Sequence, residues 1–257
     1  MEQLSVLNPS KLRKYVDKRV RDNAYIMNPH LTFAYLLENG DRSMLLRYSQ
    51  EQVPISHQFL VALGELANTI VKAGIGDDSM DPRVVEVAYN VSFNLTEELC
   101  DPKARRSHVG LLGDYQKALL GIMGKGSDRR RINFSKSRAT EGYKQAMTRG
   151  ITNQRTGLLY LGVMEMWMSP EYDMLEEASL KAGVPKRSQV YFDANRDADS
   201  GRADTIGHAD MSFDGAIQLA KIDHKWNVNE EELEQIINTS CTDRAKFWDQ
   251  FIPAIRL

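Results

Sequence analysis

Apolar residues recur at intervals of three and four along most of the chain, which is the spacing that places them on one face of an α-helix. Two clear runs are Leu12, Tyr15, Val16 and Val20, and Val84, Val87, Val91 and Leu95. Asn8-Pro9 and Asp81-Pro82 precede these runs, and each pair joins a capping side chain to a proline that fits a first helical turn. The pattern predicts a mainly α, multi-helix globular protein.

The same pattern, with the positions of glycine and proline, sets approximate limits for the other helices. They are residues 28–40, 55–73, 107–123, 140–149 and 154–168, followed by a helix that Ser169-Pro170 opens and that ends near Gly183. The segment 154–168 is apolar almost all round, as expected of a helix inside a core. Asn229 and Glu232 have the spacing of a capping box. Thr242 is predicted to begin a last helix, which Pro253 ends.

One region lacks helical periodicity. Residues 188–192 are predicted to form a short strand, the minor β element of the fold, and residues 193–211 a long loop rich in Asp, Ala and Gly. No segment divides the chain cleanly. We therefore interpret it as one helical domain over residues 1–257, or as two helical lobes of about residues 1–105 and 106–257 with a basic groove.

The overall composition is typical of a globular protein, with 42% hydrophobic and 26% charged residues among 257. Cys100 and Cys241 are far apart, so they offer neither a disulfide framework nor a cysteine motif for metal, and a reducing compartment is expected. The first residues do not resemble a signal peptide, and no apolar run reaches membrane-spanning length. These observations predict a cytoplasmic protein without a transmembrane segment.

Charge is unevenly distributed along the chain, although the net value is only −2. Residues 103–155 carry 13 basic and 3 acidic side chains, a balance of +10. Residues 49–102 and 156–257 are acidic, at −7 and −8, and residues 1–48 are weakly basic at +3. A strongly basic block within an otherwise acidic protein indicates a polyanionic partner, and nucleic acid is the one that we expect.

The candidate binding residues are cations of the basic block and two aromatic residues among them. Phosphate backbones bind several cations together, since binding releases condensed counterions, and aromatic rings stack on unpaired bases. Glycines at 124 and 126 allow a close approach of backbone to phosphate. The predicted set is Arg105, Arg106, Lys125, Arg129, Arg130, Arg131, Phe134, Lys136, Arg138, Tyr143, Lys144, Arg149 and Arg155.

Single-stranded nucleic acid is favoured over duplex, because the basic block contains no recognition-helix signature, zinc-finger spacing or basic zipper. We expect RNA. The two ends of the chain contain apolar residues that suit docking onto another copy, namely Leu4, Val6, Leu7, Phe251, Ile252, Ile255 and Leu257. The predicted protein is an RNA-binding, self-assembling nucleoprotein of nucleocapsid or coat type. It would be a viral structural protein present in the virion as a homo-oligomer or polymer.

Two other functions remain open. The first is a metal-dependent enzyme acting on nucleic acid, with ligands from Asp193, Asp197, Asp199, Asp204 and His208. That segment lacks EF-hand spacing, and the chain has no catalytic motif. The second is a helical matrix or scaffold protein that holds its basic block against an anionic membrane. No catalytic residue, bound metal or cofactor is predicted.

Overall fold

The computed structural model describes residues 8–23, 30–74, 80–124, 132, 134–200 and 207–252. Helices make up 82% of these residues and none of them forms a strand, so the prediction of a mainly α, multi-helix protein is confirmed. The α-helices in these ranges are α1 (Pro9–Asp22), α2 (Leu31–Asn39), α3 (Arg42–Gly74), α4 (Pro82–Leu99), α5 (His108–Ile122), α6 (Arg138–Ile151), α7 (Gly157–Lys181), α8 (Val190–Ser200), α9 (His208–Ile222) and α10 (Glu230–Asp249). Two 3-10 segments are Lys186–Ser188 and His224–Trp226.

Capping side chains begin several of these helices where the sequence places them. Asn8 and Asp81 accept hydrogen bonds from backbone N–H groups in the first turns of α1 and α4. Ser107 caps α5 in the same way, and Asn229 and Glu232 form a complete capping box at the start of α10. The caps satisfy backbone donors that a helix leaves unpaired at its start, and so they fix these boundaries locally.

Two prolines lie inside helices, contrary to the predicted helix limits. α3 begins at Arg42 rather than near residue 55 and continues through Pro54. α7 is unbroken, so the predicted helix start at Ser169-Pro170 is wrong, and α10 likewise passes Thr242 without a new start. Each proline removes one hydrogen bond from its helix. Burial of apolar residues on both sides of each proline keeps the two helices continuous.

The strand predicted at residues 188–192 and the loop predicted at 193–211 are also wrong. α8 covers residues 190–200 and α9 begins at His208, while residues 201–206 of the predicted loop lie outside the described residues. The rings of Tyr191 and Phe192 are buried against α7 and α5. Contacts between residues distant in sequence therefore select a helix here, although the local periodicity is weak.

The buried hydrophobic side chains form one connected cluster to which all of these helices contribute. α9 is well enclosed, and Lys221 is the one exposed residue among its fifteen. α3, with 33 residues, is about 50 Å long, and α4 packs along it in the opposite direction. Val84 near the start of α4 lies against Gly74 at the end of α3. Glu98 near the end of α4 shares a cavity with Ile55.

The last helix closes the core against the first part of the chain. The indole of Trp248 lies 4.4 Å from the ring of Phe33 in α2 and 5.0 Å from the ring of Tyr48 in α3, measured between ring centroids. The hydroxyl of Thr32 donates a hydrogen bond of 3.2 Å to the Trp248 carbonyl. α10 thus completes the packing of helices that precede it by about 200 residues.

Candidate nucleic-acid interface

The basic block begins at a tight turn, residues 101–106, which we call the Arg turn. The carboxylate of Asp101 accepts the backbone N–H groups of Lys103 and Ala104, and the Asp101 N–H donates to the Arg106 carbonyl at 2.9 Å. These bonds hold Arg105 at a φ of 52°, which a residue with a side chain seldom adopts. The Arg105 side chain is exposed. The turn therefore presents an arginine from a left-handed backbone position.

His108, the first residue of α5, ties the Arg turn to α4. Its Nδ1 lies 2.9 Å from Glu98 Oε2 and its Nε2 lies 3.9 Å from Asp101 Oδ2. Burial lowers the pKa of His108, but the two carboxylates outweigh burial and raise the pKa to about 10. The imidazolium is therefore charged at neutral pH. The carboxylates also offset the unfavourable placement of a cation at a helix N-terminus.

After α5 the chain returns across it and then across α3, in a segment of residues 134–137 that we call the strap. Just before the strap, Ile132 lies against Gly113 of α5, where a Cβ would be 2.7 Å from Ile132 Cγ1. The neighbouring Asp114 forms an ion pair with Arg106. The contact between Ile132 and Gly113 therefore places the residue just before the strap beside the Arg turn.

Pro54 creates the place where the strap is anchored. A proline has no N–H to donate to the residue four positions earlier, so it leaves the carbonyl of Gln50 without its helical partner. The backbone N–H of Ser135 donates to that carbonyl at 3.1 Å. The next residue, Glu51, is buried, and its carboxylate accepts the N–H of Ser137 at 3.2 Å and the hydroxyl of Thr140. The helix defect thus fixes the strap and the start of α6.

The strap exposes an aromatic ring and a cation together. Phe134 is 61% exposed to solvent, although a large hydrophobic core lies nearby. The Lys136 ammonium lies 5.7 Å from the centre of the Phe134 ring, within the range of a cation–π contact. An exposed ring beside a cation is the pairing that proteins use to stack a base next to its phosphate.

α6 continues the basic surface along one exposed face, which we call the α6 stripe. It consists of Arg138, Gly142, Gln145 and Arg149, all exposed and spaced at positions i, i+4, i+7 and i+11. At 1.5 Å per residue, the two arginines are about 17 Å apart along the helix. The stripe contains no acidic residue. With the Arg turn and the strap, it forms what we call the basic surface.

The predicted cations differ in whether a carboxylate already neutralises them. Among the described residues, Arg106 pairs with Asp114, Lys144 pairs with Glu141, and Arg155 makes a bidentate pair with Glu232. Arg155 lowers the pKa of Glu232. By contrast, no carboxylate in the described part of the chain pairs with Arg105, Lys136, Arg138 or Arg149. Among the predicted cations that the structure describes, these four are the ones that no described carboxylate neutralises.

One predicted site residue lies in the core instead. Tyr143 is 4% exposed and on the opposite face of α6 from the stripe, so its ring is not accessible to a base. The ring lies 5.0 Å from the Arg244 guanidinium and 5.7 Å from the ring of Phe247. The apolar spacing of residues 143, 146, 147 and 151 marks this inner face. That spacing is the sequence signal for a core position.

A buried ion pair supports α6 from beneath. Arg244 is 2% exposed, its Nε donates to Glu171 Oε2 at 3.0 Å, and a terminal nitrogen donates to Gln52 at 3.3 Å. Trp248 Nε1 donates to the same Glu171 oxygen at 3.1 Å. Burial alone would lower the pKa of Arg244. Glu171 and nearby tyrosines raise the pKa by more than burial lowers it, so the guanidinium stays charged. No motif in the sequence marks this network.

Several predicted residues lie outside the described part of the chain, or have side chains that do. They are Lys125, Arg129, Arg130, Arg131, Asp197, Asp199 and Asp204, and the predicted docking residues Leu4, Val6, Leu7, Ile255 and Leu257. Of the other candidate metal ligands, Asp193 pairs with Lys186 and Arg196, and His208 is buried with its Nε2 2.7 Å from Glu97. Within the described residues, no group of three histidine, cysteine or acidic side chains is arranged to hold a metal ion.

Comparison of the sequence with protein-family models and with curated proteins finds no match. In the described ranges, no helix is both long enough and apolar enough to cross a membrane.

Proposed function

We propose that this protein binds single-stranded nucleic acid, with RNA favoured, along the basic surface, and that it assembles on that strand as a nucleocapsid or coat-type protein. The observation that carries the proposal is the set of four exposed cations without a carboxylate partner in the described chain, Arg105, Lys136, Arg138 and Arg149, together with exposed Phe134. Unneutralised cations release counterions when a phosphate backbone binds.

The contrast with other surface cations supports this assignment. Arg83 is exposed but makes a bidentate pair with Asp81, and that pair lowers the pKa of Asp81 to about 2. Arg13 is likewise paired with Asp210. A cation that is already paired with a carboxylate has little net charge with which to attract a nucleic acid. On the basic surface, the free cations follow one another from the Arg turn across the strap to the far end of α6.

The shape of the surface favours a single strand. The α6 stripe has Gly142 at its centre, and a Cβ there would meet no other atom within 4 Å. The surface is therefore open above the helix, and its cations lie at its two ends. Phe134 offers a ring face that a duplex, whose bases are stacked on one another, does not use. The surface thus suits a strand whose bases are accessible.

The first test removes charge from the α6 stripe. The double variant Arg138→Gln/Arg149→Gln is expected to weaken RNA binding and to lower the slope of log affinity against log salt by about 1.4 units, at roughly 0.7 per phosphate contact on a single strand. Replacing Arg129, Arg130 and Arg131 with alanine is expected to lower it by about 2 units, at the same value for each of three phosphate contacts. Fluorescence anisotropy with a short single-stranded RNA, over a salt series, measures both.

The matched control removes two cations that lie outside the basic surface. Arg83→Gln/Lys246→Gln changes the net charge by the same amount, and both side chains are exposed and paired with neighbouring carboxylates. Its salt slope is expected to equal that of the native protein. An equal loss in both double variants would mean that net charge, not the basic surface, governs binding. An unchanged slope in the α6 variant would remove α6 from the interface.

The second test asks whether the strand is single. Phe134→Ala is expected to weaken binding of single-stranded RNA by about 1–3 kcal/mol, or roughly 5- to 150-fold, because alanine removes the stacking platform. Binding of a duplex of the same sequence should change little. The fold should be unaffected, since Phe134 is 61% exposed. Equal losses for both forms would contradict recognition of unpaired bases.

A further inference from the structure

α4 carries a stripe of apolar side chains that no other described residue covers. Val85, Tyr89 and Phe93 follow one another at intervals of four residues and are 51%, 66% and 41% exposed. The opposite face of α4, with Val84, Val87 and Val91, is buried. We call the exposed residues the α4 stripe, which extends about 12 Å along the helix. Three large exposed hydrophobic side chains in a row indicate a docking surface.

We propose that the α4 stripe binds residues 253–257 of a second copy of this chain, with Ile255 and Leu257 against Tyr89 and Phe93. This inference rests on the self-assembly part of the proposed function and is independent of the basic surface. It names both sides of the contact. Three observations support that choice of occupant: the reach of the chain, the spacing of the apolar residues and the charge around the α4 stripe.

The reach of the chain disfavours the protein's own α4 stripe as the binding site. Phe251 is buried with its ring 4.8 Å from the Arg47 guanidinium, near the start of α3. Gly74, beside Val84, is 27 residues farther along α3, or about 40 Å. Tyr89 lies five residues back along antiparallel α4, which leaves about 30 Å to span. Five residues beyond residue 252 extend at most about 18 Å. Residues 255 and 257 of the same chain therefore do not reach Tyr89.

The spacing of the apolar residues matches on the two sides. Ile255 and Leu257 are two positions apart, so in an extended segment they point to the same side with about 6.6 Å between them. Tyr89 and Phe93 are one helical turn apart, about 6 Å along α4. Two side chains of an extended segment can therefore contact two consecutive positions of the α4 stripe.

Charge indicates which end of the chain is the better occupant of the α4 stripe. Glu86 is exposed one turn from Tyr89 and has no ion pair with any described residue. Within residues 253–257 the one charged side chain is Arg256, which lies between the two apolar residues. Residues 1–7 also contain apolar side chains, but their charged side chain is Glu2. The carboxylate of Glu86 beside the α4 stripe therefore favours residues 253–257.

The placement of the two partners determines the kind of assembly. The donor segment leaves the protein near the start of α3, and the α4 stripe lies about 30 Å away along that helix. A contact between two different surfaces is heterologous, and it continues from copy to copy unless the rotation closes a ring. The proposal therefore gives an open chain of copies, as a protein that coats a strand requires.

The test uses two variants that each lack one side of the contact. The tail variant lacks residues 253–257, and the deletion starts there because Phe251 belongs to the core. The stripe variant is Tyr89→Ser/Phe93→Ser. Each alone is expected to be monomeric by light scattering, near the chain mass of 29.2 kDa, whereas the native protein forms larger species. An equimolar mixture should give dimers and nothing larger, because each variant retains one competent side.

Controls separate docking from folding and from nucleic-acid binding. Val61→Ser removes an exposed apolar residue of α3 outside the α4 stripe, and it should leave assembly intact. Both assembly variants should melt as the native protein does and bind a short RNA with native affinity. If the tail variant melts earlier but keeps its oligomers, the tail packs on its own domain and the proposal is wrong.

Other outcomes would give the α4 stripe a different occupant or none. If deleting residues 2–7 abolishes oligomers and deleting 253–257 does not, the N-terminal segment is the occupant. A mixture that remains monomeric would show that the two surfaces do not meet. Native protein that stays monomeric with and without RNA would overturn this proposal together with self-assembly, whereas RNA binding would still be judged by the α6 variants.

Discussion

Glu171→Gln is expected to lower the free energy of unfolding by about 3–5 kcal/mol, because it leaves the Arg244 guanidinium buried without its counter-charge. Arg244 is 2% exposed and Glu171 1%, so water does not replace the lost carboxylate. The Trp248 indole donates to the same carboxylate, and its hydrogen bond is weakened as well. Denaturant unfolding followed by far-UV circular dichroism measures the change.

Two further variants show whether the buried charge is the cause. Glu171→Gln/Arg244→Met removes both charges and should recover most of the lost stability, since a buried pair is often replaceable by apolar side chains of similar volume. Lys246→Ala, on an exposed part of α10, should change stability by less than about 0.5 kcal/mol. A double variant no more stable than the single one would mean that Arg244 stabilises the protein through shape and hydrogen bonding.

A second large effect is expected from pH, through His108. Its pKa is about 10 in the folded protein against 6.5 ordinarily, since Glu98 and Asp101 outweigh burial. The folded state therefore holds the proton more tightly. Its contribution is fully present below about pH 6.5 and is lost as the pH rises toward 10. At 1.36 kcal/mol per pKa unit, the loss is on the order of 5 kcal/mol.

The measurement is a series of denaturant unfolding curves between pH 6 and pH 10. His108→Gln should flatten most of the decline, because glutamine has no proton to lose. His208, with burial lowering its pKa and Glu97 and Glu165 raising it above the ordinary value, adds a slope of the same sign. His57→Gln is the control, since His57 is exposed on α3. A native profile that is flat over this range would contradict charged, buried His108.

Local rules predicted helix starts well and helix continuity poorly. Asn8, Asp81 and Ser107 cap the helices that follow them, because a capping bond joins residues two or three positions apart and is legible in the sequence. Pro170 breaks no helix, because burial of α7 along its length outweighs the loss of one hydrogen bond. The helical state of residues 190–200 likewise depends on rings that they meet in α5 and α7.

The sequence located the basic block but not which of its cations are free. Arg155 is neutralised by Glu232, 77 positions away, and no pattern in the chain announces that pair. Tyr143 was misassigned because its aromatic character was weighed above its helical phase. The anchor of the strap was also missed, although a proline within an apolar helical pattern, Pro54, implies an unpaired carbonyl that some other group must satisfy.

The packing of α10 against α1, α2 and α3 also sets the timing of folding during synthesis. Tyr15 donates hydrogen bonds to Glu230 and Glu234, and the rings of Phe33 and Tyr48 rest on Trp248. At about 5–20 residues per second, a ribosome needs roughly 10–50 seconds to make this chain. Throughout that interval the N-terminal helices lack the surface that buries them. A nascent chain thus exposes these apolar surfaces until α10 has been made, and the basic surface acquires its support from beneath only at that stage.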